Sequence, residues 1–321
     1  MTQNAARLVD LAPKIVSFRD AVLYGLSRTP KSISPMYFYD ARGSALFEMI
    51  CDLPEYYPTR AETEILRQHA TDIAARIGPA AHLIEYGSGG LQKIRPLLAA
   101  LNGAVAYTPV DISAEHLEAA AQRLATEYPA LDVTAIVADY SRPFSVPTPR
   151  RPARTRAALF LGSTIGNFAP DEALDFLMQA ARRVAGGGCL LLGADLRKDP
   201  ARLHAAYNDA AGVTAEFNLN LLMRINRELG GTFDLETFDH YAFYNPGPGR
   251  IEMHLISRRE QRVSVAGRGF TFAEGENLHT ENSYKFTVEG VQDMARRAGF
   301  EPEKVWLDDE ALFSLHVLRA P

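Results

Sequence analysis

The chain has 321 residues, 47% of them hydrophobic and 23% charged, and carries a net charge of -5 at pH 7. This composition is typical of a folded globular protein and excludes a largely disordered chain, and the acidic balance argues against nucleic acid as a partner. Because no apolar run approaches the roughly 20 residues of a membrane span and the N-terminus lacks the apolar core of a secretory signal, we expect a cytoplasmic protein without a membrane partner.

About 60 residues with two aromatic-rich stretches, PMYFYD (35–40) and LPEYYPTR (53–60), precede the first predicted strand. From His82 to Asp195, short apolar runs then alternate with longer amphipathic runs. This alternation predicts an α/β domain whose parallel sheet is covered by helices on both faces and binds ligands at the carboxyl ends of its strands. The predicted strands are 82–86, 105–112, 132–138, 156–162 and 189–195, and the predicted helices are 91–101, 113–128 and 170–186.

The alternation stops after the fifth of these strands. Residues 199–229 predict long helical structure and residues 250–273 predict a β-hairpin, whereas the last helix and two last strands, after Lys285, resemble the end of the first domain's sheet. We therefore expect two domains, each made of two segments. The core comprises 61–196 and 286–321, and the second domain comprises 1–60 and 197–285.

The segment HLIEYGSGGLQK (82–93) joins the first strand of this sheet to the next helix and contains three glycines. Gly87, Gly89 and Gly90 permit a tight turn and a close approach of the backbone to a ligand, although a purely structural loop uses glycine in the same way. Asp111 lies 22 residues after Gly89, at the end of the next strand, where a carboxylate can accept hydrogen bonds from both ribose hydroxyls. A solvated aspartate is the alternative interpretation.

The third strand ends in VADYS, which contains Asp139 and Tyr140. An acid at this position can accept from an adenine amino group, and an aromatic ring can flank the base, so the three strand ends together indicate an adenosine-containing ligand. The dinucleotide fingerprint GxGxxG needs a third glycine that this loop lacks, and the carboxylate of Glu85 would repel a pyrophosphate. S-adenosylmethionine carries a sulfonium and no phosphate, so we favour it, with Lys93 in reach of its carboxylate. A nicotinamide-dependent dehydrogenase is the alternative.

Longer motifs extend over nearly the whole chain: KSISPMYFYDARGSALFEMICDLPEYYPTRAETEIL (31–66), EYGSG, LFLGSTIGNF (159–168), AYNDAAGVTAEFN (206–218), RIEMHL (250–255) and TENSYKF (280–286). Together they resemble the histidine-specific methyltransferase of ergothioneine biosynthesis. The resemblance implies a class I, Rossmann-like core dependent on S-adenosylmethionine, joined to a substrate-binding domain formed by the N-terminus and an insertion. It also implies the activity: trimethylation of the α-amino group of L-histidine to hercynine, the first step of that pathway, with S-adenosylhomocysteine as the second product and no obligatory protein partner.

The resemblance implies roles for matched residues on the backbone side of the substrate. Tyr56 and Tyr207 match the tyrosines that hold the substrate carboxylate, and hydroxyl donors suit a carboxylate without adding a cation that repels the sulfonium. Asn167 matches an asparagine whose amide oxygen accepts from the α-amine, and Tyr39 matches a tyrosine near that amine and the cofactor. Asn167 and Tyr39 are therefore the expected catalytic residues.

The resemblance also implies an imidazole pocket and a cofactor set. Glu281 and Ser283 match the pair that recognises the two ring nitrogens, and Thr214 and Met253 match positions that line the ring. The expected cofactor-binding residues are Tyr39, Gly87, Lys93, Asp111, Asp139 and Tyr140. Each residue alone has an ordinary structural explanation, since buried tyrosines bond backbone groups and asparagine favours turns. Only their joint occurrence supports the functional interpretation, and we assign none of the eight histidines to a metal or to catalysis.

The expected chemistry is an in-line displacement in which a neutral amine attacks the sulfonium methyl group, with positioning as the main catalytic contribution. One position departs from the family pattern, because Gly90 stands where the family usually has a serine or threonine. Two further alternatives stay open at this stage. These are an α-N-methyltransferase for another acceptor, such as tryptophan or a small amine, and a binding module without activity.

Overall fold

The computed structural model describes residues 5–11, 17–89, 93–101 and 103–321, with the backbone alone for Glu115 and His116. Gly90, the position that departs from the family pattern, lies outside the described residues. In chain order the strands are β1 (Arg7–Asp10), β2 (Lys31–Ser32), β3 (Ala81–Tyr86), β4 (Ala106–Asp111), β5 (Asp132–Val137), β6 (Thr155–Phe160), β7 (Cys189–Asp195), β8 (Phe238–Asn245), β9 (Arg250–Ser257), β10 (Gln261–Val265), β11 (Arg268–Phe272), β12 (Asn277–Tyr284), β13 (Glu301–Leu307) and β14 (Phe313–Arg319).

The helices follow the same order. They are α1 (Phe18–Leu26), α2 (Ala41–Asp52), α3 (Tyr57–Ile77), α4 (Ile94–Ala100), α5 (Ala114–Glu127), α6 (Pro170–Val184), α7 (Pro200–Tyr207), α8 (Val213–Leu229) and α9 (Val288–Arg297), with short 3₁₀ turns at Pro35–Phe38, Thr164–Asn167 and Leu235–Thr237. Among the described residues, no helix combines the length and the apolar character that crossing a membrane requires.

The chain divides into two compact units. The first, here called the sheet unit, contains the described residues of Met1–Pro13, Pro58–Arg197 and Phe286–Pro321. The second, here called the inserted unit, contains those of Lys14–Tyr57 and Lys198–Lys285. The sequence assigned all of residues 1–60 to the second domain, but β1 belongs to the sheet unit, because its backbone pairs in parallel with β5 from Arg7↔Thr134 to Asp10↔Val137.

The sheet unit is built on eight strands in the order β1-β5-β4-β3-β6-β7-β14-β13. The strands β1, β5, β4, β3, β6 and β7 run parallel to one another, as the alternation of strands and helices predicts. In contrast, β14 lies antiparallel to both β7 and β13. The sheet is therefore mixed rather than wholly parallel. Every residue of β3, β5 and β7 is buried, which is expected for parallel strands covered on both faces.

Two hydrophobic clusters cover the two faces of this sheet. One joins residues of α3, α4 and α5 to alternate strand residues such as Leu83 and Leu159. The other joins residues of α6 and α9 to the opposite alternation, including Ile84 and Phe160. Because successive side chains of a strand point to opposite faces, these clusters give the three-layer architecture of an α/β domain.

The inserted unit contains a four-stranded sheet in the order β2-β12-β9-β8 and a separate pair, β10-β11. The predicted hairpin over 250–273 was therefore only partly right. Its first strand, β9, pairs with β8 and β12, and the hairpin is β10-β11, which turns at Ala266 and Gly267 with φ of +47° and +79°. The predicted helical segment 199–229 is likewise two helices, α7 and α8.

The break between α7 and α8 has a local cause. Asp209 accepts hydrogen bonds from the backbone N–H groups of Val213 (2.8 Å) and Thr214 (2.8 Å), which satisfies N–H groups at the start of α8 that have no partner within the helix. Gly212 adopts the left-handed conformation just before α8 begins. The turn between the helices therefore fixes Thr214, one of the expected pocket residues, at the first turn of α8.

Candidate functional site

The expected cofactor residues of the sheet unit follow the carboxyl ends of neighbouring parallel strands. Gly87 follows β3, Asp111 ends β4, and Asp139 and Tyr140 follow β5. Asn167 lies in the 3₁₀ turn after β6. Because β5, β4, β3 and β6 are adjacent and parallel, these residues come to one edge of the sheet, where ligands of open α/β sheets bind.

The glycine loop turns sharply at the end of β3. Gly87 and Gly89 have φ of +64° and +49°, a conformation that favours glycine. At Gly87, a Cβ would lie 3.5 Å from the hydroxyl of Tyr140, so the absence of a side chain keeps the backbone open beside that ring. The carboxylate of Asp111 accepts from the N–H groups of Ile112 (2.7 Å) and Ser113 (3.1 Å), which fixes it at the strand end.

Asp139 and Tyr140 are held by different contacts. Asp139 accepts from the Ser141 N–H at 3.0 Å and forms an ion pair with Arg142 at 3.3 Å. The Tyr140 ring packs edge-on against Phe160 and Phe176, with centroids 5.7 and 6.2 Å away. Both residues are thus held by contacts of their own after β5, and their expected role in binding adenine stays a prediction.

A buried carboxylic acid lies just before the glycine loop. Glu85 is 3% exposed and accepts a hydrogen bond from the hydroxyl of Tyr107 on the neighbouring strand. Burial raises the pKa of Glu85 to about 7, against the lowering effects of the Tyr107 hydrogen bond and the Lys93 charge. Since burial disfavours the charged form, this acid is poised between its two protonation states near neutral pH.

A second buried acid, which the sequence did not single out, ties the loop residues together. Glu62 on α3 is fully buried and lies 2.6 Å from the ammonium of Lys93, and its two carboxylate oxygens accept from the N–H of Gly162 at 2.8 and 2.9 Å. A side chain at Gly193 would collide with Glu62, so β7 has room for this acid only because the residue there is glycine. Lys93 is thus held by Glu62, and its contact with a cofactor carboxylate stays a prediction.

The inserted unit holds the expected substrate residues Tyr39, Tyr56 and Tyr207 in one aromatic chain. Tyr39 packs edge-on against Phe47 (5.7 Å between ring centroids), Phe47 against Tyr56 (6.4 Å) and Tyr56 against Tyr207 (6.3 Å). Burial, followed by the nearby Tyr207, raises the pKa of Tyr56 well above its usual value. Tyr56 therefore keeps its proton and remains a hydrogen-bond donor.

Tyr207 and Ser283 form a closed triangle with Lys285. The Tyr207 hydroxyl donates to Ser283 Oγ at 2.8 Å, and the Lys285 ammonium donates to Tyr207 Oη at 3.0 Å and to Ser283 Oγ at 2.8 Å. Ser283 Oγ thus accepts two hydrogen bonds, so it can only donate to a further partner. Lys285 is 2% exposed and had no role in the sequence interpretation. Lys285 follows Glu281 by four residues and Ser283 by two, so the alternation of a strand predicts all three on one face. This spacing was the signal that the sequence offered for Lys285.

Glu281, Ser283 and Met253 lie on the same face of the inserted unit's sheet. Glu281 pairs in register with Met253, and Ser283 pairs with Ile251. Burial raises the pKa of Glu281 to about 7, and the charge of Lys285 opposes that rise. The structure therefore groups an acid, a donating hydroxyl and an apolar thioether, the groups that the sequence expected around an imidazole.

Comparison with known proteins bears on this arrangement. A family model described as "Histidine-specific methyltransferase, SAM-dependent" matches residues 18–320. The chain belongs to this family. It is 42% identical to a Histidine N-alpha-methyltransferase of Mycolicibacterium smegmatis over 98% of both chains. It is 31% identical to Ergothioneine biosynthesis protein 1 of Neurospora crassa over 90% of this chain and 33% of that protein, and 26% identical to the 4-dimethylallyltryptophan N-methyltransferase of Claviceps purpurea over 94% and 95%.

Membership of the histidine-specific methyltransferase family confirms three predictions: the family, the α/β methyltransferase fold and the dependence on S-adenosylmethionine. The nicotinamide-dependent alternative is set aside. The individual site residues stay predictions, and the structure divides them between the units. Asn167 lies in the sheet unit with the cofactor residues, whereas Tyr39 lies in the inserted unit with the substrate residues.

Proposed function

We propose that this member of the histidine-specific methyltransferase family transfers three methyl groups from S-adenosylmethionine to the α-amino group of L-histidine, giving hercynine for ergothioneine biosynthesis. The observation that carries the proposal is the 42% identity to a Histidine N-alpha-methyltransferase over 98% of both chains. The buried group of Glu281, Ser283 and Lys285 adds chemical support, because polar groups buried in a pocket have to be matched by polar groups of the ligand.

The residues of the sheet unit fit S-adenosylmethionine. Gly87 leaves the backbone open after β3, Asp111 would accept from the ribose hydroxyls, and Asp139 with Tyr140 would bind the adenine. Among the described residues that follow the loop, Lys93 is paired with Glu62 and Arg95 is paired with Glu127, so neither cation is placed as a phosphate ligand. When bound, the cofactor supplies an electrophilic methyl group on a sulfonium cation.

The chain's own residues would bind and orient the amino acid. Tyr56, protonated because of its burial, would donate to the carboxylate. The single O–H of Tyr207 already goes to Ser283 Oγ, so Tyr207 would act by orienting Ser283. Asn167 and Tyr39 would accept from the α-amine and direct its lone pair. A well-oriented pair of reactants can gain roughly 7 to 11 kcal/mol over the bimolecular reaction, so these contacts would supply much of the acceleration.

Specificity for imidazole follows from the polarity of two groups. A neutral imidazole offers one N–H donor and one nitrogen acceptor. An ionised Glu281 accepts from the first, and Ser283, whose oxygen already accepts from Tyr207 and Lys285, donates to the second. An indole offers a single N–H and no ring acceptor, so it would leave Ser283 unmatched and place apolar surface against a buried acid. A tryptophan-type substrate is therefore disfavoured.

We also propose that the reaction takes place in the cytoplasm with small-molecule substrates alone. Neither Cys51 nor Cys189 forms a disulfide, and cysteines without disulfides suit a reducing compartment.

The proposal is tested by incubating the enzyme with S-adenosylmethionine and each proteinogenic amino acid separately, followed by mass detection of products. Histidine is expected to gain three methyl groups, with mono- and dimethyl species passing through as intermediates. Turnover of tryptophan or another amino acid in preference to histidine would reject the substrate, and S-adenosylmethionine binding without any methylated product would support the inactive binding module.

A further inference from the structure

The sheet of the inserted unit carries a second polar cluster on the face opposite Glu281. Because side chains alternate along a strand, Met253 points to one face of β9 whereas Glu252 and His254 point to the other. On β12, His279 lies directly opposite His254 in register, and a β-bulge separates it from Glu281. The sequence interpretation gave neither histidine a role.

The ligand atoms of these three side chains are close together. One atom each from Glu252, His254 and His279 lies within 4.8 Å of the other two, and His254 Nε2 lies 3.3 Å from Glu252 Oε2. Two ligands about 2.1 Å from a tetrahedral zinc ion are about 3.4 Å apart. The His254–Glu252 pair already has that spacing, and the ligand atom of His279 lies within 4.8 Å of both.

The neighbours of Glu252 leave one of its two oxygens for an ion. Asn245 donates to Glu252 Oε1 at 2.9 Å. Arg250 contacts Glu252 Oε1 at 2.8 to 2.9 Å, which leaves Oε2 on the side of His254.

The surroundings supply the outer contacts that metal-binding histidines need. One nitrogen of His279 lies 3.0 Å from Asn282 Oδ1 and the other lies 3.3 Å from Ser32 Oγ, so either nitrogen can bind an ion while the other keeps a partner. His254 is 6% exposed, and its Nε2 lies 3.3 Å from Glu252 Oε2, so Nε2 is the nitrogen placed to bind an ion together with that carboxylate.

We propose that Glu252, His254 and His279 form a binding site for a divalent transition-metal ion, with Zn²⁺ as the best match. Two imidazoles and one carboxylate form a common zinc ligand set, with water in the fourth position. The ion links β9 to β12, the strands that carry Met253, Glu281 and Ser283 on their other face. Its role is to stabilise these strands, and the site is independent of the methyl-transfer chemistry.

The test uses the full-length chain, free of any histidine tag and stripped with a chelator, titrated with Zn²⁺ by calorimetry and checked by elemental analysis after dialysis. We expect one ion per chain and a higher thermal unfolding midpoint with Zn²⁺, because an ion that binds only the folded state stabilises it. His279→Ala is expected to abolish saturable binding. Asn282→Ala, which removes an outer contact, is expected to weaken binding by about 10-fold.

His69→Gln is the matched control, because His69 is also half-buried but stacks on Trp306 in the sheet unit, and it should bind Zn²⁺ like the wild type. His279→Gln keeps a side chain that can bond Asn282, so circular dichroism of this variant separates loss of the site from loss of the fold. Zn²⁺ binding that survives in His279→Ala and His254→Ala, or binding no tighter than about millimolar in the wild type, would overturn the proposal.

Discussion

Glu281 is a buried acid of the proposed imidazole pocket, so we expect substrate binding to depend on whether its carboxyl group is ionised. The carboxyl group is 8% exposed, and burial raises its pKa to about 7. The proposed contact with an imidazole N–H needs the ionised form, which dominates only above that pH. Binding of histidine should therefore improve as the pH rises through about 7.

Glu281→Gln tests this role. We expect kcat/KM for histidine to fall roughly 10- to 100-fold, since a hydrogen bond to a charged group is worth about 1.5 to 3 kcal/mol, and the fall to come mainly from a higher KM. The step near pH 7 in the pH profile of kcat/KM, which reports groups of the free enzyme and free substrate, should shrink. Glu260→Gln, at an exposed acid of the inserted unit, is the control. An unchanged KM in Glu281→Gln would remove the imidazole assignment.

Lys285 acts on the substrate through its neighbours rather than by direct contact. Its charge lowers the pKa of Glu281, and its ammonium orients Ser283 and Tyr207. In Lys285→Met, Glu281 loses this stabilising charge, so the step in kcat/KM should move to higher pH and KM should rise at pH 7.

Lys285→Arg is expected to restore part of the wild-type pH profile, because the positive charge returns even where the geometry differs. Lys304→Met, at an exposed lysine of β13, is the control for loss of a positive charge. A pH profile in Lys285→Met that matches the wild type would show that Lys285 is structural only.

At the scale of elements, the side chain of Glu62 on α3 contacts two loops that carry expected site residues. Glu62 is fully buried and pairs with Lys93, while its oxygens also bind the N–H of Gly162. Gly162 precedes the 3₁₀ turn that carries Asn167. The helix therefore fixes both the residue after the glycine loop and the start of the turn with the expected catalytic asparagine.

Glu62→Gln keeps the shape of this side chain and removes its charge. We expect the free energy of unfolding to fall by about 1 to 3 kcal/mol, the cost of leaving buried polar groups poorly matched, measured by urea denaturation. Glu64 lies two residues after Glu62, on the exposed side of α3. Glu64→Gln affects only a hydrogen bond with Gln68, so its free energy of unfolding should stay within about 0.5 kcal/mol of the wild type. Equal stabilities of the two variants would contradict the account of Glu62.

The sequence predicted β3 to β7 of the sheet unit well because each is a short apolar run between turn residues, whereas β1 was missed. All residues of β3 and β7 are buried, so most of them are apolar and the two strands can be recognised from their composition. The pairing of β9 was not predictable in the same way. Its partners β8 and β12 come from segments on either side, and local periodicity carries no information about which distant strand supplies the partner.

The same limit applies to the candidate site. Tyr56, Asn167 and Glu281 were found because they lie in long motifs that resemble a known family. Glu62 and Lys285 were missed because each is a charged residue whose importance comes from burial against distant partners, Lys93 for one and Tyr207 for the other. For Glu62 the available signal was a charged residue on an otherwise apolar helix face, and for Lys285 it was the alternation with Glu281 and Ser283 on one strand face.

At the scale of the whole molecule, buried titratable groups set opposite trends of stability with pH. Burial raises the pKa of Glu85 to about 7, so between about 4.3, its usual value, and 7 the folded state holds a proton that the unfolded state releases. Stability from Glu85 therefore falls as the pH rises through this range. Burial lowers the pKa of His82 and His316 to about 4. Their contribution to stability is therefore lost as the pH drops below about 6.5, the usual pKa of histidine.

The difference between wild type and Glu85→Gln isolates the acid, because the histidine contributions are common to both proteins. Glutamine can still accept from Tyr107 but cannot ionise. We expect the variant to gain stability relative to the wild type between pH 5 and pH 8, by an amount on the order of 2 kcal/mol, measured by urea denaturation at both values. A difference that does not change with pH would mean that Glu85 titrates normally.

The central claim concerns which nitrogen of which amino acid receives the methyl groups. The most direct measurement is tandem mass spectrometry of the product formed from histidine and S-adenosylmethionine with a deuterated methyl group. We predict three labelled methyl groups, all on the α-nitrogen, which fragment together as trimethylamine while the imidazole fragment stays unlabelled. Label on the imidazole ring, or a final product with a single methyl group, would contradict the account.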